Sequence, residues 1–258
     1  SGFMGVLPRV NEGIKEEWLS DKSRYVVDGL TARRLDRPWI RENGKLRAAS
    51  WNEALDTVAA KLKAAKPERI GVIAGDLQDA ESMKATLDLF RALGSNNTDC
   101  RQDGAALGYG PREGWLFNSG LEGIEKADAV LIVGANPRLE APLLNARLRK
   151  SWIKGGVEIG VIGEQADLTF DYNYLGAGSK TVGKLPKSGV DFLTRAERPA
   201  IIVGAGALGG EGGPAVLNAL GVLAKKVGVI ADGWNGFNVL HAAASRVAGL
   251  GMGFVPGG

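Results

Sequence analysis

The 258-residue sequence predicts a doubly wound α/β fold, with parallel strands covered by helices on both faces and a small segment appended at the N-terminus. Three observations carry this. From Ser50 onward, helical and strand-like patterns alternate along the chain. The strand-like stretches, DAVLIVG and PAIIV among them, are unbroken apolar runs, as expected of parallel strands buried on both faces. Residues 1–48 are instead charged and turn-rich, without long helical periodicity.

The elements follow in order. SWNEALDTVAAKLKAAK starts on Ser50 with Glu53 three positions on, the spacing of a capping box, and reads as a helix. RIGVIAG reads as a short buried strand, and DAESMKATLDLFRALG as a helix ending at Gly94. DAVLIVGAN gives a strand, APLLNARLRKSWIKGG a helix and VEIGVIG a strand. RPAIIVGAG gives a strand, GPAVLNALGVLAKKV a helix, VGVIAD a strand and FNVLHAAASRVAG a helix. The glycine-rich stretches 104–120 and 175–189 read as loops over the edge of the sheet, and the second is the candidate boundary between two α/β halves. The expected division is 1–48 as a remnant of a preceding domain, 49–183 as a first half and 184–258 as a second half, truncated at its end.

Composition excludes several function classes. Thirty-two Lys and Arg face 29 acids, a net +3 too small and scattered for a nucleic-acid surface. The Arg33–Arg34 pair and the run Arg147–Lys150 read as solvated faces. One Cys and one His cannot build a disulfide framework, a Cys/His-rich metal site or an iron–sulfur site from this chain alone. Cys100 reads as a buried structural thiol in a reducing compartment, and His241 as a packed or surface histidine. No stretch reaches the roughly 20 apolar residues of a membrane span, and no signal peptide opens the chain, so direct membrane contact is not expected.

The sharpest motif is Gly204-x-Gly206-x-x-Gly209, which follows an apolar strand as a dinucleotide-binding fingerprint does. Such a loop needs its third glycine in the first turn of a helix, where free N–H groups meet a pyrophosphate. Here four more residues, three of them glycine, precede Pro214, the better first helical residue, so the helix starts too late. Glu211 adds negative charge where a pyrophosphate would sit. Asp232, after the next strand, is the candidate ribose acid, although it lies further along than the roughly 20 residues of the fingerprint. The expected site is therefore no catalytic residue and no bound cofactor; Gly204, Gly206, Gly209 and Asp232 would form the site if a nucleotide binds.

Three stretches go beyond a generic α/β pattern: residues 11–62, 128–150 and 232–257, with the wording LDRPWIRENGKLRAASW and DGWNGFN. Together they resemble the large iron–sulfur subunit of NADH:quinone oxidoreductase, respiratory complex I, a relative of the molybdopterin oxidoreductases. That resemblance implies Rossmann-like sheets of the molybdopterin oxidoreductase type. It also implies a scaffold that retains the fold without the cofactor, inside a complex that passes electrons from NADH to quinone. The partners implied are the cluster-bearing N-terminal domains of the same chain and other hydrophilic-arm subunits, on the cytoplasmic side of a bacterial inner membrane. In the wider superfamily a Cys that ligates a cluster corresponds to Ser20, and a Gly of the same pattern to Ser23; an alkoxide is a poor substitute for a thiolate. The molybdenum-ligand position falls near Asp103 or Gly104. Both Ser20 and Asp103 therefore read as degenerate ligand positions, with no metal expected. Phe3, Val6, Leu7, Trp18 and Leu19 would lose part of their packing surface in such a portion, and an isolated chain would pair with a second copy or leave this segment loose. Two other readings stay open: a molybdopterin-dinucleotide-binding oxidoreductase fragment and an autonomous NAD-dependent dehydrogenase, the latter without an obvious catalytic apparatus.

Overall fold

The computed structural model describes residues 4–185 and 187–257, so Phe3 lies outside the described residues. A short helix α1 (Asp21–Arg24) opens the N-terminal part, and strands β1 (Trp39–Glu42) and β2 (Lys45–Ala48) form an antiparallel hairpin. Asn43 and Gly44 both take positive φ between them, the turn an Asn-Gly pair favours in a two-residue hairpin. Helix α2 (Trp51–Ala64) follows, with the Ser50 hydroxyl accepting from the Glu53 amide. The Glu53 carboxylate takes Arg47 rather than closing a capping box. Strand β3 (Val72–Ile73), helix α3 (Ala80–Ala92) and strand β4 (Thr98–Asp99) make a small parallel βαβ unit with its own two-stranded sheet.

The main sheet starts after helix α4 (Gly120–Ile124). Strand β5 (Ala129–Val133) leads through α5 (Pro137–Glu140) and α6 (Pro142–Ile153) to β6 (Glu158–Ile162) and then β7 (Asn173–Gly176). Helices α7 (Ser179–Gly183) and α8 (Lys187–Arg195) bring the chain back to β8 (Pro199–Val203) on the other side of β5. Then come α9 (Ala205–Leu208), α10 (Gly213–Lys226), the paired strands β9 (Ile230–Ala231) and β10 (Trp234–Asn235), strand β11 (Phe237–Val239) and helix α11 (Arg246–Gly251). The strand order is β11-β8-β5-β6-β7, all parallel.

Both faces of this sheet are buried. Along β5 side chains alternate: Leu131 and Val133 enter one core with Val216 and Leu220 of α10, while Val130 and Ile132 enter the other with Leu144 and Leu148 of α6. This is the doubly wound α/β arrangement that the unbroken apolar runs require. Strands from both sides of residue 184 share the sheet, because β5 hydrogen-bonds to β6 and to β8.

Four local expectations need correction. VGVIAD does not add a strand to the parallel sheet; Ile230–Ala231 turns back antiparallel onto Trp234–Asn235 and is exposed, while Val227 and Val229 reach the core. FNVLHAAASRVAG is not one helix: Phe237–Val239 is the buried edge strand, and only Arg246–Gly251 is helical. Its run of three alanines, Ala242–Ala244, favours a helix locally, yet β8 has an open edge that accepts Phe237, Asn238 and Val239. The 175–189 stretch is not all loop, since it holds α7. Arg147 is buried rather than solvated, because it lies on the same helical face as Leu144, Leu148 and Ser151.

Candidate functional site

In a doubly wound sheet the ligand crevice opens beyond the carboxyl ends of the strands, where the chain order reverses. Here that point lies between β5 and β8: the register sets Val133 opposite Val203 on one side and Ile162 on the other, so three strands end level. A cleft of about 750 Å³ opens there, bounded by Gly134–Asn136, Glu140, Gly163–Glu164, Ser179, Gly206 and Ala242 among others. The loop carrying Gly204, Gly206 and Gly209 lies at this point, and Gly206 and Gly209 line the cleft.

What the glycines do there is visible from their neighbours. The loop after β8 lies directly against the loop after β5. The Gly204 amide donates to Val133 O at 2.9 Å, and the Gly206 amide to Gly134 O at 3.0 Å. Ala207 N–H closes on Gly204 O and Gly209 N–H on Ala205 O, both at 3.1 Å, forming the single turn α9 that the sequence pattern does not announce. A Cβ on Gly204 would sit 2.5 Å from the Ala135 Cβ, and one on Gly134 would run into the Ala207 amide. These glycines permit two backbones to touch, and the amides of Gly204, Gly206, Ala207 and Gly209 already have carbonyl acceptors. The long helix α10 begins only at Gly213, with Pro214 in its first turn, as the sequence predicts.

The charges in the cleft are acidic. Glu140 and Glu164 are among its lining residues, and among the described residues no Lys or Arg lines it. The Glu140 carboxylate accepts the Asn136 amide at 2.6 Å and so caps α5. Asp232 is not part of this place. It sits exposed in the β9–β10 turn, and the neighbouring Trp234 donates its indole N–H to Pro199 O, at the start of β8 rather than its end.

Asp103 does approach the cleft, because its loop lies beside Gly209. Its carboxylate is already engaged: Arg246, 5% exposed at its side chain, donates to both oxygens at 3.1 and 3.2 Å, and the Ala105 amide donates to Oδ1. Burial pushes the Asp103 pKa up, but the Ala105 and Arg246 donors outweigh it and hold the carboxyl below its usual range. His241, in the loop after β11, donates its Nε2–H to Trp115 O over 2.7 Å; burial, with Arg246 nearby, keeps its pKa below the ordinary value. Cys100 is buried, and burial raises its thiol pKa. Ser20 caps α1, its hydroxyl accepting from Ser23 N and donating to Ser23 Oγ, so the two departures from the superfamily pattern bond to each other. Among the described residues no group of three or more His, Cys, Asp and Glu side chains is placed to hold a metal ion.

Sequence reasoning missed a second cluster. Buried Arg147 on α6 donates to Glu125 Oε1 at 2.9 Å and to Glu12 O at 2.7 Å, and Lys150 reaches Glu16 at 2.5 Å. This one hydrogen bond, donated by Lys150 and accepted by Glu16, lowers the Glu16 pKa and raises the Lys150 pKa. This ties the N-terminal segment to the sheet. The signal was present in the sequence: Arg147 falls on the apolar stripe of its helix.

Residues 34–258 match the family model for molybdopterin oxidoreductases. The chain belongs to that family. Residues 1–28 match the model of the NADH-ubiquinone oxidoreductase NDSU1/NuoG-like 4Fe-4S domain, although this stretch contains no Cys. The chain is 43% identical over 97% of its length to the mitochondrial NADH-ubiquinone oxidoreductase 78 kDa subunit of Candida albicans, of which it covers 36%. It is 42% identical over 98% of its length to the mitochondrial NADH dehydrogenase [ubiquinone] iron-sulfur protein 1 of Solanum tuberosum, covering 35% of that protein. To an NADH-quinone oxidoreductase subunit of Rickettsia conorii it is 44% identical over 97% of its length, covering 38%. The resemblance read from the sequence therefore extends nearly end to end, while the chain spans little more than a third of these curated relatives. A solved formyltransferase/hydrolase complex from Methylorubrum extorquens superposes with a TM-score of 0.53 at 16% identity, covering 82% of this chain and 63% of that one, which shows a shared fold.

Proposed function

We propose that the chain is a non-catalytic scaffold portion of the large iron–sulfur subunit of a proton-pumping NADH:quinone oxidoreductase, supporting electron transfer from NADH to quinone by the whole complex. The observation that carries this reading is the identity of 42 to 44% along 97 to 98% of the chain to three such subunits. The molybdopterin fold brings with it the expectation of a dinucleotide cofactor, and the cleft is a poor match for one. Among the described residues its wall offers two carboxylates and no cation to a pyrophosphate, and the turn amides are bonded to carbonyls. A 4Fe–4S cluster needs thiolates, and the 1–28 stretch has none, so the clusters belong to other parts of the parent protein. Residues 1–48 act as the tail of the domain that carries them. The partners are those cluster-bearing domains and other subunits of the hydrophilic arm. Like the complex it belongs to in this reading, the chain sits peripherally on the cytoplasmic side of a bacterial inner membrane; no helix among the described residues is long and apolar enough to cross a membrane.

The test uses the assembled complex carrying Glu140→Gln with Glu164→Gln in the cleft. NADH:quinone turnover per assembled complex should stay within about two-fold of the parent, and purified complex should carry no stoichiometric molybdenum or tungsten. A loss of ten-fold or more with assembly intact, or a bound pterin, favours the molybdopterin-dinucleotide reading instead. An autonomous NAD-dependent dehydrogenase has less support, since Asp232 lies away from the glycine loop and His241 faces a backbone carbonyl.

A further inference from the structure

Between the N-terminal segment and α6 runs a groove of about 410 Å³. Its floor is apolar, formed by Ile14, Trp18, Leu143 and Ile153, and Trp18 and Ile153 are left 60 and 59% exposed. Its rim is cationic. Among the described lining residues Glu16 is the one acid, and Lys150 already bonds to it. Arg147 is likewise taken by Glu125. That leaves Lys15, Arg149 and Lys154, which make no ion pair among the described residues. Lys15 stands out: its Nζ is shut off from water and has no hydrogen-bond partner among the described residues. A desolvated ammonium without an acceptor is costly, and turning the Lys15 side chain toward a carboxylate brought into the groove would relieve it.

We infer that this groove is a docking surface for a partner polypeptide segment that is both apolar and acidic, an amphipathic helix whose leucine-like face covers Trp18 and Ile153 while its carboxylates reach Lys15, Arg149 and Lys154. Apolar area supplies the affinity, and the charges choose the partner and its register. The groove shares no lining residue with the switch-point cleft, and the inference stands whether or not the chain serves a redox complex.

The experiment uses this chain and a labelled helix of leucine and glutamate, with the same helix carrying lysine for every glutamate as the comparison, read by fluorescence anisotropy. The acidic helix should bind saturably and the basic one should not. Lys15→Ala and Ile153→Glu should each weaken binding about ten-fold or more. Ile153 is solvent-exposed, so its variant should keep the parent's thermal midpoint and circular dichroism, separating lost docking from lost folding. Equal binding of the two helices, binding unchanged in both variants, or no saturable binding would overturn the inference. So would sedimentation showing a dimer that Ile153→Glu dissociates, because the groove would then belong to a second copy of the chain.

Discussion

Strand β5 and helix α2 are both regular, well-signalled elements, yet they live in opposite environments. All five residues of β5 are buried, whereas α2 buries none of its fourteen. Helix α2 carries an apolar stripe of its own, Trp51, Leu55 and Val58 at helical spacing, but each is more than half exposed. What holds α2 is local: the Ser50 cap and the Arg47–Glu53 pair. What holds β5 is non-local: two neighbouring strands and helices on both faces. A sequence pattern thus establishes that an element forms, while its stability depends on whether a second surface exists to receive its apolar face.

The largest contrast should come from truncating one leucine in each region. Leu131→Ala in β5 is expected to cost about 2–5 kcal/mol in denaturant unfolding, whereas Leu55→Ala in α2 should stay within roughly 0.5 kcal/mol. Comparable losses would mean that α2 is packed on something in solution and would break the comparison. Arg147 is the tie between the N-terminal segment and the sheet. Replacing it with Met leaves Glu125 half-buried without its guanidinium, and should cost about 2 kcal/mol, reduced from a fully buried pair because Glu125 remains partly wet. Hydrogen exchange should then quicken at residues 11–24 while DAVLIVG stays protected; unchanged exchange at 11–24 would show that the clamp does not order the segment.

The smallest effect belongs to His241 and is confined to the sheet-bearing region. Its folded pKa lies below the ordinary value of about 6.5, so on acidification the unfolded chain takes up the proton first. Stability is therefore expected to fall as pH drops from about 7 through 6.5 toward the folded pKa, by at most about 1.4 kcal/mol per unit. His241→Gln should flatten that part of the profile. Because this is the chain's single histidine, an identical slope in the variant would assign the effect to carboxylates.

How much could be read in advance follows the same division. DAVLIVG, PAIIV and VEIGVIG were legible because burial on both faces leaves an unbroken apolar run. VGVIAD has such a run but spends it on a two-residue hairpin beside the start of β8, a use that apolarity alone does not reveal. FNVLHAAASRVAG looked helical from its alanines; the strand at Phe237–Val239 exists because β8 offers an edge, and because buried Asn238 accepts from Ser119 N–H at 2.9 Å. At the candidate site, Gly204 and Gly206 announced a glycine-rich loop between strand and helix with the helix starting too late for a fingerprint. What they pack against is Gly134 and Ala135, in the loop after β5 far earlier in the sequence, and only the pairing of β5 with β8 brings the two loops together. Arg147 was misread because its charge was weighed and its helical phase was not.

The claim that this switch-point loop is a packing device rather than a nucleotide site is tested most directly by isothermal calorimetry of the chain with NADH and with a guanine dinucleotide. With the amides of Gly204, Gly206 and Ala207 bonded to carbonyls and Glu140 and Glu164 on the wall, neither ligand should bind more tightly than about 1 mM, near −4 kcal/mol. Micromolar binding of either one, abolished by Gly206→Val, would contradict it.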